Sequence, residues 1–340
     1  MYKIITEGKA KIIVPAEEKV SKELPVFYNP VMEFNRTVSV LLLKVIENID
    51  MTIGDPLAGT GARAVRFLKE LPKTKIKELW INDISKEAVN IIKKNLKLNK
   101  VKAKVFNEDA NMFILNSKGF DYIDLDPFGS PNIFLDSAVK RLGRNGILAV
   151  TATDTGCLSG TFSNACKRKY WAVPQRNETM HENGLRILIR KVQLIGSDHG
   201  KALIPIYSYS KDHYFRIFFR CEKGKRKVDS VIKQHGMFNL AGPLWLGNLF
   251  DKKIAKNIAL LSKDKFIKTI FDESKINTVG FFDIPRLCKK HKLNIIKQDE
   301  IIKRIKKKGY KASLTHFKNN SIRSEISERE LVSLIKSKAF

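Results

Sequence analysis

Apolar and polar positions follow two regimes along this chain. From about residue 49 to 221, short β-like runs alternate with amphipathic stretches, the pattern of a parallel sheet covered by helices. Residues 51–54 predict a first strand, and the loop that runs to Gly61 opens a helix over 62–71. A second strand over 79–82 ends at Asp83, and Ser85 then caps a helix with Ala88, Ile92 and Leu96 on one face. Residues 103–107 and 122–125 predict the third and fourth strands, 130–142 a short helix, and 146–153 a fully apolar fifth strand. After a helix over 185–195, the runs 201–210 and 213–221 alternate as an antiparallel hairpin at the sheet edge.

The charged, glycine-containing run 222–227 is the expected domain boundary. It divides residues 1–222, with an N-terminal extension over 1–48, from a smaller α+β domain over 223–340. In the second domain, 284–292 and 299–308 read as helices, and 311–317 and 322–326 as strands. Helix, helix and hairpin of this size predict a winged-helix-like unit. Its second helix is amphipathic and cationic, and Lys303, Arg304, Lys306, Lys307 and Lys308 are the expected contacts to RNA phosphates.

Charge sharpens this picture. Sixty-three basic against 35 acidic side chains give a net charge of +28, which favours a polyanionic partner. A lysine-rich, heat-adapted composition would raise glutamate in step, and glutamate does not keep pace. The length of 340 residues suffices for two domains, and no apolar run reaches membrane-spanning length. No leader peptide is visible at the N-terminus, so a cytoplasmic location is expected, without a membrane or an obligate protein partner. Cysteines 157, 166, 221 and 288 lack paired spacing, and neither a disulfide framework nor a metal site is expected.

The loop Asp55-Pro-Leu-Ala-Gly59-Thr60-Gly61 lets a ligand approach the backbone closely. Asp83 follows Gly61 by twenty-two residues, at the end of the next strand, where an acid grips a ribose diol. Charge separates two candidate cofactors. A dinucleotide needs a third glycine and an anion-accepting helix N-terminus. Here Ala62-Arg63-Ala64-Val65-Arg66 follows, and Asp55 precedes the loop. An acid at that place repels a pyrophosphate and suits the ammonium and sulfonium of S-adenosylmethionine. Either Arg63 or Arg66 is expected to pair with the cofactor's carboxylate. Asp109 and Ala110, after the third strand, are expected to meet its adenine.

Asp126-Pro127-Phe128-Gly129 ends the fourth strand. It resembles the Asp/Asn-Pro-Pro-aromatic signature of methyltransferases that act on planar amino nitrogens, with one proline fewer. An exocyclic amine donates its lone pair into the ring and is a poor nucleophile. Hydrogen bonds from its NH2 to the Asp126 carboxylate and the Pro127 carbonyl favour a pyramidal nitrogen aimed at the methyl group. Phe128 is placed to stack on the base, which must leave its helix to be reached. Asp124 is expected on the opposite strand face and is the weaker candidate.

With these residues assembled, almost the whole chain resembles the archaeal and eukaryotic tRNA (guanine(26)-N(2))-dimethyltransferase family. The resemblance rests on Phe27-Tyr-Asn-Pro30 with Asn35-Arg36, Gly59-Thr-Gly-x-Arg63-x-x-Arg66, Asn82-Asp83-Ile-Ser85 and Asp124-Leu-Asp-Pro-Phe-Gly-Ser-Pro131. Further pieces are Thr151-Ala-Thr-Asp154, Lys211-Asp-His-Tyr-Phe-Arg216, Gly242-Pro-Leu-Trp-Leu-Gly247 and Thr315-His-Phe317. It implies a Rossmann-like class I S-adenosylmethionine-dependent methyltransferase domain and transfer of one, then two, methyl groups to guanine N2 of tRNA. It also implies that Arg36 contacts the cofactor, a role that spacing alone does not suggest. Several members carry paired cysteines before the Gly-Pro-Leu-Trp-Leu-Gly piece, in the manner of a zinc knuckle. This chain has none between Cys221 and Gly242. Two rival readings remain at this point: methylation of another amino nitrogen, in ribosomal RNA or DNA adenine, and a non-catalytic RNA-binding protein.

Overall fold

The computed structural model describes residues 1–16 and 26–336. They pack as two compact units. The first comprises Met1–Thr153, Gln193–Ile204 and Phe218–Asp229, and the second Asp154–Val192, Pro205–Ile217 and Ser230–Phe340. This division differs from a single cut after residue 222. The charged run there changes the polarity of the chain, whereas packing follows long elements whose residues are shared between units.

In the first unit, strands β1 (Tyr2–Glu7) and β2 (Ala10–Pro15) form an antiparallel hairpin, and helix α1 (Glu33–Val45) follows. The alternation expected downstream is then realised by β3 (Met51–Asp55), α2 (Ala62–Glu70), β4 (Ile76–Asn82), α3 (Lys86–Leu98), β5 (Lys104–Phe106) and α4 (Ala110–Asn116). It continues with β6 (Phe120–Leu125), α5 (Asn132–Arg141) and β7 (Leu142–Ala152). Strands β8 (Lys201–Lys211) and β9 (Tyr214–Lys223) complete a seven-stranded sheet in the order β5-β4-β3-β6-β7-β9-β8. The pairs β3–β4, β3–β6, β4–β5 and β6–β7 are parallel, while a two-residue connection makes β8 and β9 antiparallel at the edge, as the sequence pattern predicted. Strand order reverses beside β3, so the crevice at the carboxyl ends of β3 and β6 is the natural ligand position of such a sheet.

The N-terminal hairpin is tied down by amides. Asn95 on α3 and Asn99, which caps the C-terminus of that helix, accept the backbone N–H groups of Ile13 and Lys11 at 2.7 and 2.9 Å and donate back to the same residues' carbonyls. The β2 edge is thereby satisfied without a further strand.

In the second unit lie α6 (Thr155–Leu158), α7 (Ser163–Tyr170), most of α8 (Met180–Asp198), and part of α9 (Lys225–Ile232). The hairpin β10 (His235–Phe238) and β11 (Ala241–Trp245) follows, then helices α10 (Lys252–Leu260) and α11 (Lys265–Glu273). The last segment runs β12 (Phe282–Asp283), α12 (Ile284–His291), α13 (Gln298–Lys307), β13 (Ala312–Leu314), β14 (Ser321–Ser324) and α14 (Glu328–Lys336). Its three strands pair in the order β12-β14-β13, over a core that includes Ile284, Leu287, Ile301, Ile305, Ile322 and Leu331. Two helices and a hairpin follow in the order the sequence predicted, with β12 and α14 added at the ends.

A buried ionic chain runs through the second unit. Arg323 on β14 bonds Glu182 at 2.6 Å and Glu273 at 3.0 Å, Glu182 also holds Arg186 at 2.8 Å, and Glu273 pairs with His316. Burial alone would raise the Glu273 carboxyl, but His316 and Arg323 hold it down at about 2. Arg186 in turn donates to the carbonyls of Trp245 and Gly247 at 2.9 and 2.8 Å. The Gly-Pro-Leu-Trp-Leu-Gly piece and the Thr-His-Phe piece thus serve as partners of this network.

Candidate active site

Strand β3 ends at Asp55, which is 2% exposed and leaves one carboxylate oxygen buried without a hydrogen-bond partner. Burial pushes its carboxyl up to about 7, against the pull of Arg63, with Asp124, Asp126 and Asp83 adding to the rise. The loop beyond turns through two left-handed glycines, Gly59 at φ 55° and Gly61 at φ 73°. A Cβ on Gly59 would lie 2.7 Å from the carbonyl oxygen of Phe27, so only glycine fits beneath that strand of backbone. Gly61 is the N-cap of α2.

Asp83 shapes this loop directly. One carboxylate oxygen accepts the Gly59 N–H at 2.8 Å, and the other accepts the Ser85 N–H at 2.9 Å. Burial raises its carboxyl despite both bonds. Ser85 accepts the Ala88 N–H, the cap expected from the sequence. Asn82, fully buried, donates to the carbonyls of Pro56 and Glu108 at 3.1 and 2.9 Å and accepts the Glu108 N–H. One side chain therefore ties the ends of β3, β4 and β5 together. Asp109 is exposed and caps α4 by accepting the N–H groups of Asn111 and Met112, and Ala110 beside it is buried.

The second half of the site begins where β6 stops at Leu125. Asp126, its side chain 18% exposed, forms an ion pair with Arg63. The same guanidinium reaches Asp124 at 3.4 Å and donates to Asn35 and Ser39 at 3.0 and 2.9 Å. Asp124 therefore does not turn away from Asp126 as expected, because residues two apart along a strand point to the same face. Asp126 lies just beyond the last strand residue, and both acids meet one arginine. Phe128 is 46% exposed, and the Phe27 ring stands edge-on to it with centroids 4.3 Å apart. The turn closes through reciprocal bonds between Gly129 and Thr153, the Gly129 N–H donating to the Thr153 hydroxyl at 2.7 Å.

Comparison with known proteins bears directly on these residues. The profile of a family described as N2,N2-dimethylguanosine tRNA methyltransferase matches residues 8–239 and 233–336. The chain belongs to this family. It is 38% identical to the tRNA (guanine(26)-N(2)/guanine(27)-N(2))-dimethyltransferase of Aquifex aeolicus, covering 97% of this chain and 94% of that one. It is 35% identical to the tRNA (guanine(26)-N(2))-dimethyltransferase of Methanosphaera stadtmanae, over 98% and 96% of the two chains. Its fold matches that of Trm1 from Pyrococcus horikoshii, solved in complex with S-adenosyl-L-methionine. The TM-score is 0.89 at 33% identity, over 98% of this chain and 100% of that one. The Rossmann-like methyltransferase fold expected from the sequence is therefore present.

Within this family fold, the three arginines expected to meet the cofactor also have partners within the chain. Arg66 bonds Glu7 at 3.0 Å, Glu70 at 2.6 Å and the Thr37 hydroxyl at 2.9 Å, so its guanidinium faces the N-terminal hairpin. Arg36 grips both oxygens of Glu7 at 2.7 and 2.6 Å and lies over the Tyr28 ring. Arg63 is engaged by Asp126 and Asp124. The structure thus turns all three guanidiniums toward carboxylates of the chain itself. Burial would raise the Glu7 carboxyl, yet Arg36, Tyr28 and Arg66 together hold it below its usual range. Sequence reading missed Glu7, because nothing local marks a glutamate whose partners lie 29 and 59 residues away.

In the second unit, Lys303, Lys306, Lys307 and Lys308 are exposed on and just beyond α13. Arg304 is drawn inward to Glu300 at 2.9 Å and the Leu334 carbonyl at 3.1 Å, apart from the exposed lysines expected to accompany it. Lys306 also lines a groove of about 760 Å³ that carries Lys252, Lys275 and Lys311, with Thr269 and Ser313. Among the described residues, no group of His, Cys, Asp and Glu is arranged to hold a metal ion, and no helix is long and apolar enough to cross a membrane.

Proposed function

We propose that this chain transfers one methyl group, and then a second, from S-adenosylmethionine to the exocyclic N2 of guanine 26 in tRNA. The observation that carries this reading is Asp126, a partly exposed carboxylate set between a buried arginine and an exposed aromatic ring at the switch point of the sheet.

The loop side fits the cofactor in charge and shape. Asp55 offers a buried, unpartnered oxygen to a cation, Gly59 and Gly61 turn the loop through left-handed backbone, and Asp83 stands at the ribose position. Asp109 and Ala110 border the adenine position. When bound, the cofactor supplies an electrophilic methyl carbon on a sulfonium sulfur.

Asp126 and the Pro127 carbonyl accept hydrogen bonds from the guanine NH2, which frees the nitrogen lone pair from the ring. The nitrogen displaces a neutral thioether sulfur from the methyl carbon and takes on the positive charge, and one of its protons then passes to Asp126 or to a water. Arg63 fixes the direction of the Asp126 carboxylate through an ion pair made before the base arrives. Phe128, braced by Phe27, stacks on the extruded base. Much of the acceleration comes from holding lone pair and methyl in line.

The winged-helix-like segment of the second unit supplies phosphate contacts through Lys303, Lys306, Lys307 and Lys308, with Lys252, Lys275 and Lys311 across the groove. Arg304 supports α13 from behind.

Labelled methyl transfer to tRNA, ribosomal RNA and DNA tests this function, followed by mass spectrometry of the modified nucleotide. Dimethylguanosine at position 26 is expected, and the same map reads position 27, which the name of the Aquifex aeolicus relative includes. Label confined to DNA or ribosomal RNA, or absent altogether, would overturn it.

A further inference from the structure

Helix α7 ends at an unusual residue. Trp171 takes the left-handed conformation, φ 55° and ψ 41°, at the helix terminus. Glycine or asparagine adopts this conformation cheaply there, whereas for a bulky side chain it is a strained outlier. Its backbone is pinned on both sides: its N–H donates to the Lys167 carbonyl at 3.1 Å, and its carbonyl accepts from Arg190 at 3.3 Å. The indole gains little burial for this strain, because it is 52% exposed. One face covers the ammonium of the buried Lys191, which lies 3.0 Å from the ring centroid.

The surroundings are cationic. Lys167 and Arg168 are exposed on the last turn of α7. Arg190 has no carboxylate partner among the described residues, and its buried Nε has no hydrogen-bond partner. Burial draws its guanidinium below the usual arginine range. Cations at a helix C-terminus suit the helix dipole, and single exposed apolar side chains are common. Neither accounts for a strained, exposed indole held rigidly over a cation. Strain of this kind persists where function retains it.

We propose that the outer face of Trp171 is a stacking platform for an accessible base of the RNA substrate, with Arg190, Lys167 and Arg168 reaching the flanking phosphates. The proposal rests on the tRNA reading above. Stacking of this type tolerates any base, because every base has a π face, so the platform contributes affinity and register rather than sequence choice.

Intrinsic fluorescence tests it on the full chain. Of the three tryptophans, Trp245 is buried and Trp80 is stacked on Phe106, which leaves Trp171 as the exposed reporter. Titration with unmodified tRNA should quench wild-type emission, and Trp171→Phe should abolish that quenching while largely retaining binding. Trp171→Gly removes the ring and suits the left-handed backbone, so the fold should be kept or strengthened. It should raise Kd and KM for tRNA about tenfold and leave cofactor affinity and kcat at saturating tRNA unchanged. Persistent quenching in Trp171→Phe, or wild-type tRNA affinity in Trp171→Gly, would overturn the proposal. If the wild-type chain neither binds nor methylates tRNA, the tRNA reading itself fails, and the platform with it.

Discussion

Arg63 pairs with Asp126 and, through the same guanidinium, with the fully buried Asp124 at 3.4 Å. Because Asp124 remains when Asp126 is removed, the arginine keeps a charged partner in Asp126 variants. Loss of Asp126 is therefore a test of chemistry rather than of folding.

Asp126→Ala should cut turnover on the order of 10²-fold or more, with cofactor affinity nearly unchanged. Single-turnover methyl transfer with isothermal calorimetry reads both quantities. Near-normal turnover would make Asp126 a turn residue and place the chemistry elsewhere.

Asp83 holds the Gly59 and Ser85 N–H groups, and the proposed function gives it the ribose as well. Asp83→Ala should weaken cofactor affinity by roughly 1.5–3 kcal/mol, the range for hydrogen bonds to a charged group. Asp83→Asn retains one oxygen acceptor for the loop and should fall between this variant and wild type. Unchanged affinity in calorimetry would refute the assignment.

Asp55 adds a pH dependence whose sign can be worked out. Its carboxyl titrates near 3.8 ordinarily and is pushed up to about 7 in the fold, so the folded chain holds this proton more tightly than the unfolded chain. The stability contributed is complete below the ordinary value and is lost as pH rises through about 7. Asp55→Asn never ionises, so its melting temperature should gain on wild type as pH climbs from about 5 to 8. Wild-type cofactor affinity should rise over the same interval, as an anionic Asp55 meets the bound cation, and the variant should lose that rise. Parallel melting curves for the two proteins across this range would contradict the assignment.

Charge alone should govern the lysines of α13. Replacing Lys306, Lys307 and Lys308 with glutamine should weaken tRNA binding and flatten its salt dependence by roughly 0.7–0.9 log units of slope per lost phosphate contact. Cofactor affinity should not change. A salt slope equal to wild type would mean that these lysines merely coat a solvated helix face.

What the sequence by itself determined is mostly local. The order of strands and helices, the Ser85 cap, the glycine turn after β3 and the break at Asp126-Pro127 all follow from backbone sterics within a few residues. For that reason the places of the acids at the strand ends were legible before any geometry was known. The tertiary structure alone decided which charge answers which. The fold brings Glu7 to both Arg36 and Arg66, and it brings Arg63, from another element, to both Asp124 and Asp126. It also decided where the chain divides, since α8, β8 and β9 each give residues to both compact units. Periodicity reports which face of an element is apolar. A buried ion needs a partner at hydrogen-bonding distance, and packing alone chooses which distant residue that partner is.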